Sequence, residues 1–189
     1  MSSEPEYTKP NTETLSDIAT NIIRTLSRNG ETLGVAESLT AGGVMAALTS
    51  VPGASAVMRG GVVSYATPLK ESLLHVDHDL ITKKGPVHAD VAAQMAEGAR
   101  KATACNGSLT TWGIATTGVA GPEPQDGKPV GMVYIGIASP DGTQPLGPFC
   151  FPGSREQVRE ATVMEALSRL RDALISHQQD VDLVGGEKV

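Results

Sequence analysis

The 189-residue chain has a formal net charge of -6, a pI of about 5.2, and a composition that is 40% hydrophobic but only 3% aromatic. That length suits one ordinary domain, whose core must be built from Ala, Val, Ile and Leu. The acidic balance argues against nucleic acid as a partner, and no run approaches the ~20 apolar residues that cross a bilayer, which argues against a membrane one.

Residues 1–11 contain Pro5 and Pro10 and lack the apolar stretch of a signal peptide, so they read as a disordered lead in a cytoplasmic protein. Over residues 12–28, Leu15, Ile18, Ile22 and Leu26 recur on one helical face, and Asn29-Gly30 stops the helix. Residues 32–36 read as a strand that runs into Glu37-Ser38-Leu39-Thr40-Ala41-Gly42-Gly43, followed by a helix over 44–49. A second strand is predicted over 61–65, ending at Tyr65. Thr67 as N-cap and Pro68 at the first helical position then open a helix to about Leu74. A long helix over 88–104 turns Val91, Met95, Ala99 and Ala102 inward. Strands over 112–117 and 131–139 flank a loop rich in Gly and Pro, and a last strand is placed near 146–151. Ser154 and Gln157 form a capping-box pattern before a helix with Val163, Leu167, Leu170 and Leu174 on one stripe. The domain is expected to span 12–177, with 178–189 a flexible tail. Interleaved strands and helices predict a three-layer α/β/α sandwich around a mixed, mostly parallel sheet. Cys105 and Cys150 lack metal-type spacing and read as two buried, reduced thiols.

Three segments carry possible chemistry. The strand-to-helix junction AESLTAGG presents the Ser38 and Thr40 hydroxyls at a helix mouth, where N–H groups favour developing negative charge, and Gly42 admits a ligand to the backbone. An ordinary capped helix start would look the same. Lys70 falls in the first turn of its helix, where the dipole and any burial disfavour its charge and would leave a neutral amine able to act as a base. A solvent-exposed lysine, or one paired with Glu71, is the other reading. Thr117 and Gly118 lie in TTGVAGP at a strand's C-terminal end, the edge of an α/β sheet where ligands bind; a structural turn is the alternative. Neither GxGxxG nor GxxxxGK[ST] occurs. His75 and His78 lack accompanying ligands, so no metal site is expected, and His88 stands where a helix cap would.

AESLTAGG, RGGVVSYATPLK, GPVHADV, TTGVAGP with KPVGMVYIGIA, and FPGSREQVR, in that order over residues 12–175, resemble the CinA C-terminal domain. The resemblance implies a three-layer fold and a nicotinamide-nucleotide amidase, which hydrolyses nicotinamide mononucleotide to nicotinic acid mononucleotide and ammonia in pyridine nucleotide salvage, without a cofactor. It carries Ser38 over as nucleophile, Tyr65 and Lys70 as its activating partners, and Thr117 and Arg155 as residues lining the substrate site, with Arg155 expected on the substrate phosphate. A homodimer or higher homo-oligomer is a further implication. Larger members carry a nucleotide pyrophosphatase domain, for which 189 residues leave no room. The family pattern reads AESxTGG and YSNxxK; here Ala41 replaces the first glycine, Ala66-Thr67 replace Ser-Asn, and His88 stands where serine is common. A non-catalytic nucleotide-binding or regulatory module, or a hydrolase of another small amide, are the alternatives.

Overall fold

A computed structural model describes residues 13–185, with side chains described through 180. The expected lead, 1–11, and the last four residues of the expected tail lie outside the described residues.

The strands are β1 (Leu33–Glu37), β2 (Met58–Val63), β3 (Trp112–Gly118), β4 (Met132–Ser139) and β5 (Gly142–Cys150). The helices are α1 (Leu15–Asn29), α2 (Gly43–Thr49), α3 (Thr67–Leu74), α4 (His78–Lys84), α5 (Ala89–Ala102) and α6 (Arg155–Gly185). The sheet runs in the order β2-β1-β3-β4-β5. β1 is parallel to both neighbours and β4 antiparallel to both of its own, so β4 alone opposes the other four. The expected mixed, mostly parallel sheet is what forms.

Alternation along each strand separates two cores. Leu33 and Val35 of β1, Ile114 of β3 and Val133, Ile135 and Ile137 of β4 face α1, α2 and α6, meeting Ile22, Leu26, Leu167 and Leu170. Ala36, Ala115 and Ala138 face the opposite way, toward Met95, Ala96 and Ala99 of α5 and Leu74 of α3. This second face is made of small residues for a steric reason. A Cβ at Gly34, Gly113 or Gly136 would land on the carbonyl oxygens of Ala99, Ala96 and Ala92, so α5 lies on the sheet backbone to backbone. Aromatic side chains have no place in that layer.

Several boundaries differ from those expected. β2 is displaced toward the N-terminus and ends at Val63, because its partner β1 ends at Glu37, the residue paired with Val63. Tyr65 therefore lies beyond the strand. β5 starts at Gly142 rather than 146, through a tight hairpin that pairs Ser139 with Gly142. It is a largely exposed edge strand, so its first half carries no apolar alternation to read. α3 begins at Thr67 with Ala66 as its cap residue, one position earlier than expected. α4 was not anticipated: Asp77 caps it by accepting from the Leu80 amide, but Ile81 is its one buried residue, leaving no periodic stripe. α6 continues to Gly185 instead of ending at His177, since no Gly or Pro interrupts 177–184. Its capping box forms as expected: Ser154 N–H donates to Gln157 Oε1 and Gln157 N–H to Ser154 Oγ. Among the described residues no helix is long and apolar enough to cross a membrane.

Candidate active site

The site forms where the parallel strands β1 and β3 end. Alternation in β1 sends Glu37 to the α2 side, and the next residue, Ser38, presents its hydroxyl to α3. Glu37 is fully buried; Oε2 accepts from the amides of Gly42 (2.9 Å) and Val44 (3.1 Å), and Oε1 from Met45 (2.9 Å). A carboxylate thus occupies the mouth of α2. This changes the expected part played by Gly42: its amide is not available to a ligand or an oxyanion. The amide of Ala41 is spent on Ser38 O and that of Gly43 on Thr40 O, whereas Leu39 and Thr40 N–H have no acceptor among the described residues. The Thr40 hydroxyl is also committed, 2.8 Å from Thr116 Oγ1 in the core, so Thr40 underpins the turn and does not line the pocket. Ala41 sits at φ 49°, left-handed backbone that explains the glycine of the family pattern.

Lys70 is the central finding. It shares the inner face of α3 with Leu74 and is only 2% exposed, while Leu69 and Leu73 face outward. Its Nζ donates to Ser38 Oγ at 3.0 Å and to the Ser64 carbonyl at 2.6 Å. Burial lowers its pKa from 10.5 to about 8. Glu71 does not pair with it, bonding instead to His78 Nδ1 at 2.9 Å.

Tyr65 is brought to the same pocket but not to the Ser38–Lys70 pair. Its phenol, 54% exposed, accepts from the Arg155 guanidinium, which also donates to Gly121 O at 2.8 Å. Tyr65 and Arg155 thereby bridge the pocket mouth. Thr117 lines the pocket while donating its hydroxyl to Pro86 O at 2.8 Å. At Gly118, also in the lining, a Cβ would crowd Met132 O and Val133 of β4.

The pocket holds about 120 Å³ and is closed by Leu39, Thr67, Pro86, Val87 and the loop from Val119 to Gln125. A larger groove of about 470 Å³ between the β4–β5 hairpin and α6 shares no residue with it and contains neither Ser38 nor Lys70. The sequence reading missed Glu37, Ser64, the pocket residues Glu123 and Gln125, and Arg159, which donates to Thr40 O at 3.2 Å. Arg159 had a readable signal, its four-residue spacing from Arg155 on a helix. His88 caps α5, its Nδ1 accepting from Asp90 N–H. Cys105 and Cys150 are free but not buried as expected: Cys105 is half-buried in the turn after α5, and Cys150 is exposed on the edge strand β5. Among the described residues no group of three or more His, Cys, Asp or Glu side chains could hold a metal.

The family model of the CinA C-terminal domain matches residues 15–174. The chain belongs to that family. A CinA-like protein of Frankia casuarinae is 46% identical over 153 residues, covering 81% of this chain and 34% of the relative. One from Parasynechococcus marenigrum is 44% identical over 161 residues, covering 84% and 37%. This CinA-family chain thus spans about a third of the length of the curated relatives it matches. Among solved structures, the competence/damage inducible protein CihA from Agrobacterium tumefaciens superposes with a TM-score of 0.78 at 32% identity, covering 88% of this chain and 99% of that one. A CinA superfamily protein from Enterobacter cloacae gives 0.82 at 25% identity, covering 92% and 99%. These structures match the CinA fold nearly end to end.

Proposed function

We infer that the chain is a serine hydrolase of small carboxamides, with nicotinamide mononucleotide as substrate and nicotinic acid mononucleotide and ammonia as products. The observation that carries this reading is the buried Lys70 amine, with its lowered pKa, 3.0 Å from the Ser38 hydroxyl in a pocket at the sheet's C-terminal edge. The substrate rests on the family resemblance and on the Arg155 guanidinium at the pocket mouth.

With a pKa of about 8, roughly a tenth of Lys70 is neutral at pH 7. Neutral Lys70 takes the Ser38 proton as Oγ attacks the carboxamide carbon. The Leu39 amide, unspent and at the pocket lining, is the candidate donor to the oxyanion. The Lys70 ammonium then protonates the departing nitrogen as the C–N bond breaks, releasing ammonia. Water, deprotonated by the same amine, hydrolyses the Ser38 ester. Tyr65, bonded to Arg155, orients the phosphate-binding guanidinium in this scheme and takes no proton.

The test is ammonia release from purified protein given nicotinamide mononucleotide. Wild type should release it and Ser38→Ala should not, while retaining the wild-type thermal midpoint. Wild-type binding without ammonia release would leave a nucleotide-binding module; Ser38→Ala with full turnover would displace Ser38 as nucleophile.

A further inference from the structure

Ser64 lies one residue past β2 and is fully buried. Its amide donates to Glu37 O at 2.9 Å and its carbonyl accepts from Lys70 Nζ at 2.6 Å, yet its hydroxyl has no partner among the described residues. A buried hydroxyl without a partner destabilises a fold, and one beside a catalytic amine calls for a reason. Alternation along β2 puts Ser64 on the same side as Val62, which packs against the core cluster that includes Leu74 of α3. That is the side from which α3 delivers Lys70.

The protons of Lys70 supply the reason. A neutral amine has two N–H bonds and one lone pair; the lone pair faces the Ser38 hydroxyl and one N–H is held by Ser64 O. After proton transfer there are three N–H bonds and a positive charge. One faces Ser38 Oγ, one stays on Ser64 O, and the third needs an acceptor in a buried site. Hydrogen bonds from a charged donor are stronger than those from a neutral one. An acceptor that is idle while the amine is neutral and engaged by the cation therefore favours the state that forms during reaction over the neutral amine that begins it.

We propose that Ser64 is a positioning residue that acts through Lys70: its hydroxyl rotates about χ1 to accept a hydrogen bond from the Lys70 ammonium formed when Ser38 gives up its proton. This rests on the reading of Ser38 and Lys70 as nucleophile and base. Of the other charged groups near the amine, three are committed and one shares its pocket. Glu37 is bound to the α2 amides, Glu71 to His78, and Arg155 to Tyr65 and Gly121 O, while Glu123 is a pocket-lining residue on the loop after β3. α5 meets α3 through Gly98 beside Leu74, and the charged residues flanking that contact, Glu97, Arg100 and Lys101, pair with one another.

The experiment compares Ser64→Ala and Ser64→Thr with wild type by thermal midpoint, by the pH dependence of kcat on nicotinamide mononucleotide, and by NMR titration of ¹³C-labelled lysine, with the Lys70 signal assigned by its loss in Lys70→Met. Ser64→Ala should keep or raise the midpoint, because it deletes an unpaired buried hydroxyl, while kcat falls about tenfold or more. Its Lys70 pKa should fall by about half a unit or more, since the cation loses an acceptor. Ser64→Thr, which keeps a hydroxyl, should restore most of the kcat. An unchanged kcat and titration in Ser64→Ala, or a midpoint and kcat that fall together with no titration shift, would overturn the proposal. If wild type releases no ammonia, the hydrolase reading fails, and the titration still decides for Ser64: a downward shift supports it and no shift removes it.

Discussion

At the scale of single residues, Lys70 decides what the pocket can do. Its pKa is about 8 when folded and 10.5 in the ordinary state, so between these values the unfolded chain binds the extra proton and stability rises with pH. The burden is fully present below pH 8 and amounts to about 3 kcal/mol. Lys70→Met should therefore raise the thermal midpoint at pH 7 while abolishing turnover, and the gain should shrink as pH climbs toward 10.5. In wild type, kcat should rise with pH through about 8 and then level off. Lys70→Arg keeps the charge but cannot deprotonate at working pH, so it should be as inactive as Lys70→Met. An active Lys70→Arg enzyme that retained the alkaline rise would remove Lys70 as the base. None of this burial was readable in TPLKESLL, where Leu69 and Leu73 compete with Lys70 and Leu74 for the inner face. The choice between those stripes was made by α5, which approaches α3 so closely that Gly98 lies against Leu74.

Between elements, close approach and helix termini do the positioning. α5 rests on three glycines of the sheet, and Gly113→Ala would press a methyl group into the Ala96 carbonyl and the Arg100 stem. We expect a stability loss of about 1–3 kcal/mol, read by denaturant unfolding, with pocket ligand affinity falling only as far as β3 shifts. A wild-type midpoint for Gly113→Ala would contradict the backbone-to-backbone packing. At the start of α6, Arg155 spans Tyr65 and Gly121 O. Arg155→Ala should weaken binding of nicotinamide mononucleotide far more than that of the dephosphorylated nucleoside, as calorimetry would show. Equal losses would assign the guanidinium to holding the pocket mouth together. The capping box of α6 was legible because its signal lies within four residues. The α2 mouth was misread because its N–H groups are taken by Glu37, a residue outside the helix whose direction is set by strand alternation.

For the whole molecule, the excess of acidic residues coexists with a pocket in which a buried amine meets a hydroxyl. Since among the described residues no set of side chains could hold a metal, turnover of nicotinamide mononucleotide should survive EDTA undiminished. Loss in EDTA restored by a divalent ion would overturn the serine–lysine scheme. By itself the sequence determined what short-range physics controls: the alternation of strands and helices, the small-residue core, the strand–turn junction at Ser38 and the edge at Thr117 and Gly118. These follow from side-chain period and backbone hydrogen bonding over a few residues. Only the tertiary structure decided which polar groups meet. Ser38 and Lys70 are 32 residues apart, Thr40 and Thr116 are 76 apart, and Tyr65 and Arg155 are 90 apart. It committed the Thr40 hydroxyl and the Gly42 amide to the turn, turned Tyr65 to Arg155, and set the buried Glu37 and Ser64 behind the pocket. Burial and partner choice depend on how layers pack across the sheet, and a lysine's chemistry depends on that burial.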